Sequence, residues 1–178
     1  MPQNALDNPL VLPILGLLVE QPRHPYALFS ELRRRYDYLR VRNATVYTLL
    51  DRLTAEGWIG AANDERGTLT PTESGRTALA ERVRHQLREA DPAGGPAFVT
   101  ALAYLGILEP GQATAVLATR VQLIEQTIRE LEQAIHTSGE PEIHMIEAHY
   151  LLARLRHDLD WLERTAHRIE AGELGWSR

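Results

Sequence analysis

The 178-residue chain can bury a core, since 44% of its residues are apolar, and its length suits one large domain or two small ones. It contains no cysteine, which excludes disulfides, thiolate chemistry and cysteine-ligated zinc. No apolar run reaches the roughly 18 residues that a membrane span needs. The apolar N-terminal segment also lacks the basic flank of a signal peptide, so we expect a cytoplasmic protein.

Charge is unevenly distributed along the chain. The formal net charge of −5 argues against nucleic acid as a partner, but residues 23–52 hold seven arginines against three acids. Residues 92–178 hold seven arginines against twelve acids. Because charges beyond a Debye length of roughly 8 Å are screened, the basic segment remains compatible with contacts to DNA phosphates.

Two helices are predicted before residue 37. Asn8-Pro9 is typical of a helix start, and the apolar run at residues 10–19 indicates a buried first helix. If the helix started at Pro9, Pro13 would remove its first i to i−4 hydrogen bond. A start at Leu12 or at Pro13 itself avoids this loss. Pro25 opens a second helix over about residues 26–36. Its expected inner face is Leu28, Phe29 and Leu32.

Residues 40–59 form the segment around which we interpret the rest of the chain. Apolar residues there recur at i, i+3, i+4 and i+7, which predicts a helix with one buried face: Val46, Leu49, Leu50 and Leu53. The opposite face is polar and consists of Ala44, Tyr47, Thr48, Asp51 and Arg52. We expect Asn43 to cap this helix and Gly57 to end it. The predicted order is a helix, a turn and a second, capped helix with a basic outer edge, which is the order of elements in a helix-turn-helix motif. The second helix of that motif enters the major groove of DNA.

A short hairpin and a further helix follow. Residues 60–70 are a candidate two-stranded hairpin that turns around residues 63–67. Thr72 is expected to cap the next helix, which runs to about Glu89 with an inner face of Leu79, Val83 and Leu87. The sequence Asp-Pro-Ala-Gly-Gly-Pro at residues 91–96 is the clearest break in the chain. We therefore predict one domain at residues 1–90 and a second at residues 91–178.

The second domain is predicted to be a helical hairpin. Residues 97–108 indicate a short apolar helix, and Pro110 lies where a long helix begins. Two apolar seams with coiled-coil spacing follow: Leu117, Val121, Ile124, Ile128, Leu131 and Ile135, then Leu152, Leu155, Leu159, Leu162, Ala166 and Ile169. A turn at residues 136–141 joins them. A last helix of about 30 residues would span on the order of 45 Å, which one small domain cannot cover, so we expect a homodimer through these seams.

The chain resembles the PadR-like transcriptional regulators, in the branch with the longer C-terminal domain. The resemblance is carried by HPYAL at residues 24–28, ATVYTLLDRLTAEGWI at residues 44–59, TESGRTAL at residues 72–79 and DWLE at residues 160–163. It implies a mainly α fold: a winged helix-turn-helix domain followed by a helical, coiled-coil-like dimerisation domain. It also implies repression that a small ligand relieves.

The resemblance further implies residues that contact double-stranded DNA. Tyr26 is similar to the family's phosphate-contacting tyrosine, and Arg66 lies where the wing usually offers a cation. Asn43, Thr45 and Tyr47 match contact positions of the recognition helix, with Thr48 where many members have proline. Together with the basic flank, the predicted DNA-binding residues are Tyr26, Arg40, Arg42, Asn43, Ala44, Thr45, Tyr47, Thr48, Arg52 and Arg66. The chain departs from the family in Ala44, which replaces a glycine, and in its short acidic wing.

Several residues admit more than one interpretation. Of Arg33, Arg34 and Arg35, three adjacent residues on a helix, at most one is expected to meet DNA. The negative charge of Asp51 weakens the attraction of this face for DNA, unless Asp51 pairs with Arg52 or Arg40 or accepts a hydrogen bond from N4 of cytosine. Five residues are candidates to line a cavity that binds a small apolar or aromatic effector: Phe98, Tyr104, His149, Tyr150 and Trp161. The alternative for Trp161 is sealing of the dimer, and for the other four it is core packing.

No cofactor, metal site or enzymatic activity is expected. His144, Glu147 and His149 do not project together from a helix, and no nucleophile triad or phosphate-cradling loop occurs. Taken with the resemblance, which implies repression relieved by a ligand, the sequence predicts a ligand-responsive repressor that acts as a homodimer on a pseudo-palindromic operator. The alternative is a winged-helix protein–protein interaction module without a specific DNA site.

Overall fold

A computed structural model describes residues 5–62 and 67–176. Within those residues the chain forms a small antiparallel sheet and long helices, which confirms the predicted mainly helical class. The helices are α1 Val11–Glu20, α2 Pro25–Arg35, α3 Asn43–Ala55, α4 Glu73–Glu89, α5 Pro96–Leu102, α6 Pro110–Ser138 and α7 Ile146–Glu170. The strands are β1 Ile59–Ala61 and β2 Leu69–Pro71. No described helix is both long and apolar enough to cross a membrane.

The chain divides into two compact units, Met1–Val83 and Arg84–Arg178. This division falls inside α4, seven residues before the boundary expected at residue 91. A proline- and glycine-rich segment marks where a helix stops, whereas compactness depends on which residues pack together. The domain limits at residues 1–90 and 91–178 stay a prediction.

Helix α1 begins at Val11, after Pro9 and one residue before Leu12, the earlier of the two favoured starts. The Asn8 side chain accepts a hydrogen bond from the N–H of Leu10 at 2.9 Å, and the helix starts at Val11. Pro13 is therefore its third residue, where a missing N–H removes no intrahelical bond. The residues from Val11 to Leu18 are buried.

Helix α2 begins at Pro25, as predicted. His24 precedes it with an extended backbone, and its Nδ1 atom accepts from the N–H of Tyr26 at 3.3 Å. Leu28 and Leu32 are fully buried. Phe29, the third residue expected on the inner face, is only half-buried, and the Arg33 guanidinium lies 5.9 Å from its ring centre.

The predicted hairpin is present as strands β1 and β2. They pair antiparallel with Ile59 opposite Pro71 and Ala61 opposite Leu69. Arg23 adds a bridge on the other side of Leu69, where the backbone N–H and C=O groups of the two residues exchange hydrogen bonds at 3.1 and 2.8 Å. The predicted turn falls largely on residues 63–66, outside the described residues.

Helix α4 starts as the sequence predicted, with Thr72 as its cap. The Thr72 hydroxyl accepts from the N–H of Gly75 at 3.1 Å, and Leu79, Val83 and Leu87 are completely buried along one face. Arg82 on the same helix places its guanidinium 5.4 Å from the ring centre of the half-buried Trp58. Burial lowers the pKa of Arg82, while Asp7 raises it.

Helices α6 and α7 pack together as a hairpin inside the C-terminal unit. Helix α6 starts at Pro110 behind a capping box of Glu109 and Gln112 and ends at Gly139, whose φ of 66° suits glycine. It therefore extends into the predicted turn. Helix α7 has 25 residues and is preceded by a 3₁₀ turn, so it is shorter than expected.

Candidate nucleic-acid interface

The exposed side of α3 is the candidate interface, and a buried stripe fixes which side that is. Val46, Leu49, Leu50 and Leu53 are all buried, as predicted. At about 100° per residue, the direction opposite to them passes through Ala44, Thr48 and Asp51. Tyr47 and Arg52 lie at the two edges of this outer face, and all five residues are exposed.

The N-terminal end of α3 differs from the prediction. Arg42 is the capping residue, with an extended backbone at φ −109° and ψ 138°, and its side chain makes no capping hydrogen bond. Asn43 is already the first helical residue, so the expectation that it caps the helix is wrong. A cap needs an extended backbone to turn its side chain back to the following N–H groups. The first N–H groups of α3 are therefore not capped by the Arg42 side chain, and the positive end of a helix favours an anion.

The C-terminal end of α3 is fixed by Gly57, as predicted. Gly57 adopts φ 70°, and the N–H groups of Gly57 and Trp58 donate to the carbonyls of Thr54 and Leu53, each at 2.9 Å. This is a Schellman motif, which needs a left-handed residue at the glycine position. The Gly57 carbonyl in turn accepts from the hydroxyls of Thr72 and Ser74 at 2.6 and 2.8 Å. Two hydroxyls at the start of α4 thereby hold the end of α3.

The other predicted DNA-binding residues surround α3 in the sequence. Tyr26, the second residue of α2, exposes 69% of its surface. Arg40 is exposed with a left-handed backbone at φ 52°, and Arg42 and Asn43 are exposed as well. Thr45 is half-buried. Arg66 lies outside the described residues.

Acids neutralise part of the basic segment. The Arg34 guanidinium binds both carboxylate oxygens of Glu31, at 2.9 and 2.5 Å, and Arg35 binds Glu31 at 2.5 Å and Glu20 at 2.7 Å. Hydrogen bonds from Arg34 and then Arg35 lower the pKa of Glu31 from 4.5 to about 2, although burial opposes this shift. Bonding to Glu20 likewise raises the pKa of Arg35. Arg34 and Arg35 are therefore engaged within the fold.

Three arginines stay available near α3. Within residues 5–62 and 67–176, Arg40, Arg42 and Arg52 form no hydrogen bond or ion pair through their side chains. Asp51 also forms neither, so it pairs with neither Arg52 nor Arg40 in this part of the chain. Among the described residues, the cations beside the outer face of α3 therefore have no ion-pair partner, and neither does the Asp51 carboxylate at its centre.

The predicted effector residues differ widely in exposure. Phe98 and Tyr104 are buried in the C-terminal unit, with the Arg120 guanidinium 4.6 Å from the Phe98 ring centre. Tyr150 and Trp161 expose 65% and 41% of their surfaces, and His149 is half-buried. Core packing accounts for the first two, and an effector site that includes these five residues stays a prediction.

The seam residues predicted for dimerisation lie in the hairpin of one chain. Buried there are Leu117, Ile124, Ile128, Leu152, Leu155, Leu162 and Ile169. Less completely buried are Val121, Leu131 and Leu159. The spacing of an apolar seam does not say which helix covers it, and here α6 and α7 cover each other. These side chains stabilise the hairpin, and their part in a dimer stays a prediction.

Sequence reasoning missed Arg120, which is completely buried. Its guanidinium donates to the carbonyls of Ala90 and Asp91 and, at 3.1 Å, to that of Pro92. A signal was present, because Arg120 lies three residues after Leu117 and four before Ile124, on the buried stripe of α6. Burial lowers the pKa of Arg120, while Asp91 and Asp158 raise it.

The part of the chain that the structure describes contains no cluster of three or more histidine, aspartate or glutamate side chains able to hold a metal ion.

Comparison with known proteins places the segment that contains α3 in a family. The model of the transcriptional regulator PadR-like family matches residues 14–81, from α1 into α4. No curated protein sequence gives a significant match.

Several solved structures are similar over most of the chain. Bacillus subtilis PadR in complex with operator DNA is 20% identical, with a TM-score of 0.40 over 90% of this chain and 98% of that one. The same protein in complex with p-coumaric acid is 21% identical, with a TM-score of 0.40 over 91% and 99%. A PadR-like transcriptional regulator from Bacillus cereus is 14% identical, with a TM-score of 0.41 over 91% and 98%.

Proposed function

The chain carries a domain of the PadR-like family of transcriptional regulators at residues 14–81, and from that premise we propose that it is a sequence-specific DNA-binding regulator. The outer face of α3 supports this proposal most directly. A buried stripe holds the helix in place, and Tyr47, Thr48 and Arg52 are exposed on the opposite side. In a helix-turn-helix this is the side that enters the major groove.

The flanking charges support contacts to the DNA backbone. Arg40, Arg42 and Arg52 are exposed and form no ion pair among the described residues, so binding to phosphate would break no existing interaction. Tyr26, exposed at the start of α2, offers a hydroxyl for a phosphate oxygen. Phosphate contacts fix orientation, while side chains on the outer face of α3 read the bases.

The regulator is proposed to act as a homodimer that represses transcription. Two copies of α3, related by a two-fold axis, would enter successive major grooves about 34 Å apart on a pseudo-palindromic operator. A bound dimer would exclude polymerase from the promoter. A small apolar or aromatic effector would relieve repression only if it had higher affinity for a dimer geometry that no longer matches this spacing.

Binding to duplexes tiled across the protein's own upstream region tests the proposal. We expect tight, sequence-specific retention of one duplex at low salt, which weakens steeply as the salt concentration rises, and weaker retention of a scrambled duplex of the same base composition. The double variant Tyr47→Ala, Arg52→Ala should lose at least about tenfold in affinity, because each base or phosphate contact contributes roughly 1–3 kcal/mol.

Arg129→Ala is the matched control, since it removes the same charge from α6, far along the chain from α3. It should bind like the unaltered protein. Lack of any sequence preference at low salt would reject the proposal and leave the protein–protein interaction module as the better interpretation.

A further inference from the structure

The centre of the outer face of α3 offers acceptors and no free side-chain donor. Ala44, Thr48, Asp51 and Ala55 lie within about 40° of the direction opposite the buried stripe. Ala44 and Ala55 have no polar side-chain atoms and are small, so they leave room for close approach. Thr48 and Asp51, one turn apart and both exposed, are the polar groups at this centre.

The Thr48 hydroxyl already uses its proton within the helix. Its Oγ1 donates to the carbonyl of Ala44 at 2.9 Å. A hydroxyl has one proton and two lone pairs, so toward a ligand Thr48 presents lone pairs and a methyl group. Such internal bonding is common for threonine inside helices.

Asp51 is also an acceptor. An ionised carboxylate has no proton to donate, and the Asp51 side chain has no hydrogen-bond or ion-pair partner among the described residues. Arg52, which could have neutralised it, lies about 100° away around the helix. Near phosphates this carboxylate would be repelled, so its favourable position is against a base edge that donates a hydrogen bond.

Only two bases donate in the major groove. Cytosine presents its N4 amino group and adenine its N6 amino group, whereas guanine presents the acceptors O6 and N7 and thymine presents O4 and a methyl group. We infer that Thr48 and Asp51 determine operator specificity by selecting, at neighbouring positions of each half-site, cytosine or adenine on one strand. Guanine and thymine are rejected there because their acceptors would face acceptors. This inference rests on the proposed DNA-binding function.

Selection from a pool of duplexes with about 20 randomised base pairs, a length that spans two half-sites, tests the inference and requires no known operator sequence. The unaltered protein should enrich a motif with cytosine or adenine on one strand at adjacent positions of each half-site. Asp51→Asn should shift the preference at one of these positions toward adenine by at least about fivefold, because an asparagine amide pairs with both N6 and N7. Thr48→Val keeps the shape but loses the lone pairs, so the preference at its position should fall by a similar factor.

Glu56→Gln is the matched control, since it removes one negative charge at the end of α3 and away from the centre of the outer face. Its motif should equal that of the unaltered protein. Thermal unfolding of all three variants should be unchanged because the substituted side chains are exposed.

Two contrary outcomes are distinguishable. If the unaltered protein enriches no motif, both the DNA-binding proposal and this inference are wrong. If it enriches a motif that Asp51→Asn and Thr48→Val leave unchanged at every position, the inference alone is wrong and DNA binding stands.

Discussion

Gly75 lies where a side chain would collide with the backbone. A Cβ atom at this position would be 2.0 Å from the Trp58 carbonyl oxygen, because the first turn of α4 packs directly against the residues that follow α3. The same carbonyl accepts from the N–H of Thr72 at 2.9 Å. One small residue thus decides how closely α4 approaches the end of α3.

Gly75→Ala should destabilise the N-terminal unit by about 1–3 kcal/mol, the usual cost of forcing atoms into a packed site. Chemical denaturation followed by circular dichroism measures the change. Gly60→Ala is the control, since a Cβ there would meet nothing within 4 Å, and it should leave the midpoint nearly unchanged. Equal midpoints for both variants would contradict the predicted collision.

Glu31 should make stability depend on pH in acid. Its pKa in the folded protein is about 2, against an ordinary value of 4.5, chiefly because of hydrogen bonds from Arg34. A carboxyl with a depressed folded pKa stabilises the fold above its unfolded pKa and loses this effect as the pH falls through the folded pKa. The Glu31→Gln variant should therefore be less stable than the unaltered protein at about pH 7, and the difference should shrink between about pH 4.5 and pH 2.

Urea denaturation of both proteins at about pH 2, 4.5 and 7 measures this difference. Glu56→Gln, which changes an exposed carboxyl with no ion pair among the described residues, controls for the change in net charge. A Glu31→Gln difference that stays constant down to about pH 2 would show that the carboxylate does not stabilise the fold.

Among the helices, the C-terminal end of α4 is held by an arginine. Helix α4 ends at Glu89, and Arg120 from α6 donates to the next three carbonyls, those of Ala90, Asp91 and Pro92. Arg154 from α7 adds a bond to the Ala93 carbonyl at 2.7 Å. Both helices of the hairpin therefore hold the segment that follows α4.

Arg120→Met should destabilise the C-terminal unit by about 1–3 kcal/mol, because it removes the donor from carbonyls in a partly buried segment. Thermal unfolding monitored by circular dichroism gives the size of the effect. Arg129→Met, at an exposed position on the same helix, should have little effect. If Arg120→Met were as stable as Arg129→Met, the hydrogen bonds to the segment after α4 would contribute nothing to stability.

The elements that the sequence predicted well have strong local signals. The buried stripe of α3, the Gly57 end and the Thr72 cap depend on neighbours within one or two turns, so periodicity and residue type suffice to find them. The pairing of Arg35 with the distant Glu20 and the burial of Arg120 depend on tertiary contacts. The start of α3 depends on the extended backbone of Arg42, which residue type alone does not predict. The two apolar seams and the short turn between them also predict that α6 packs on α7 as a hairpin, which the structure confirms. Seam spacing alone does not say whether a second copy of the chain covers the same helices.

At the scale of the whole molecule, we propose that the C-terminal unit forms the dimer. The full chain, of 20.1 kDa, should sediment as a dimer of about twice that mass. A chain that ends at residue 90 should sediment as a monomer and bind the operator about a hundredfold or more weakly, because two linked half-site contacts reinforce each other. A truncated chain that still dimerised would refute the role given to the C-terminal unit.

The bonding of Arg34 and Arg35 to acids limits how many counterions DNA binding can release. If Arg40, Arg42 and Arg52 of each subunit neutralise one phosphate apiece, a dimer displaces condensed cations from about six phosphates. The logarithm of the binding constant should then fall with the logarithm of salt concentration at a slope of about −5, whereas contacts from Arg34 and Arg35 as well would give about −9. Ion pairs on α2, away from the reading helix, would thus keep affinity comparatively constant when the ionic strength of the cell changes.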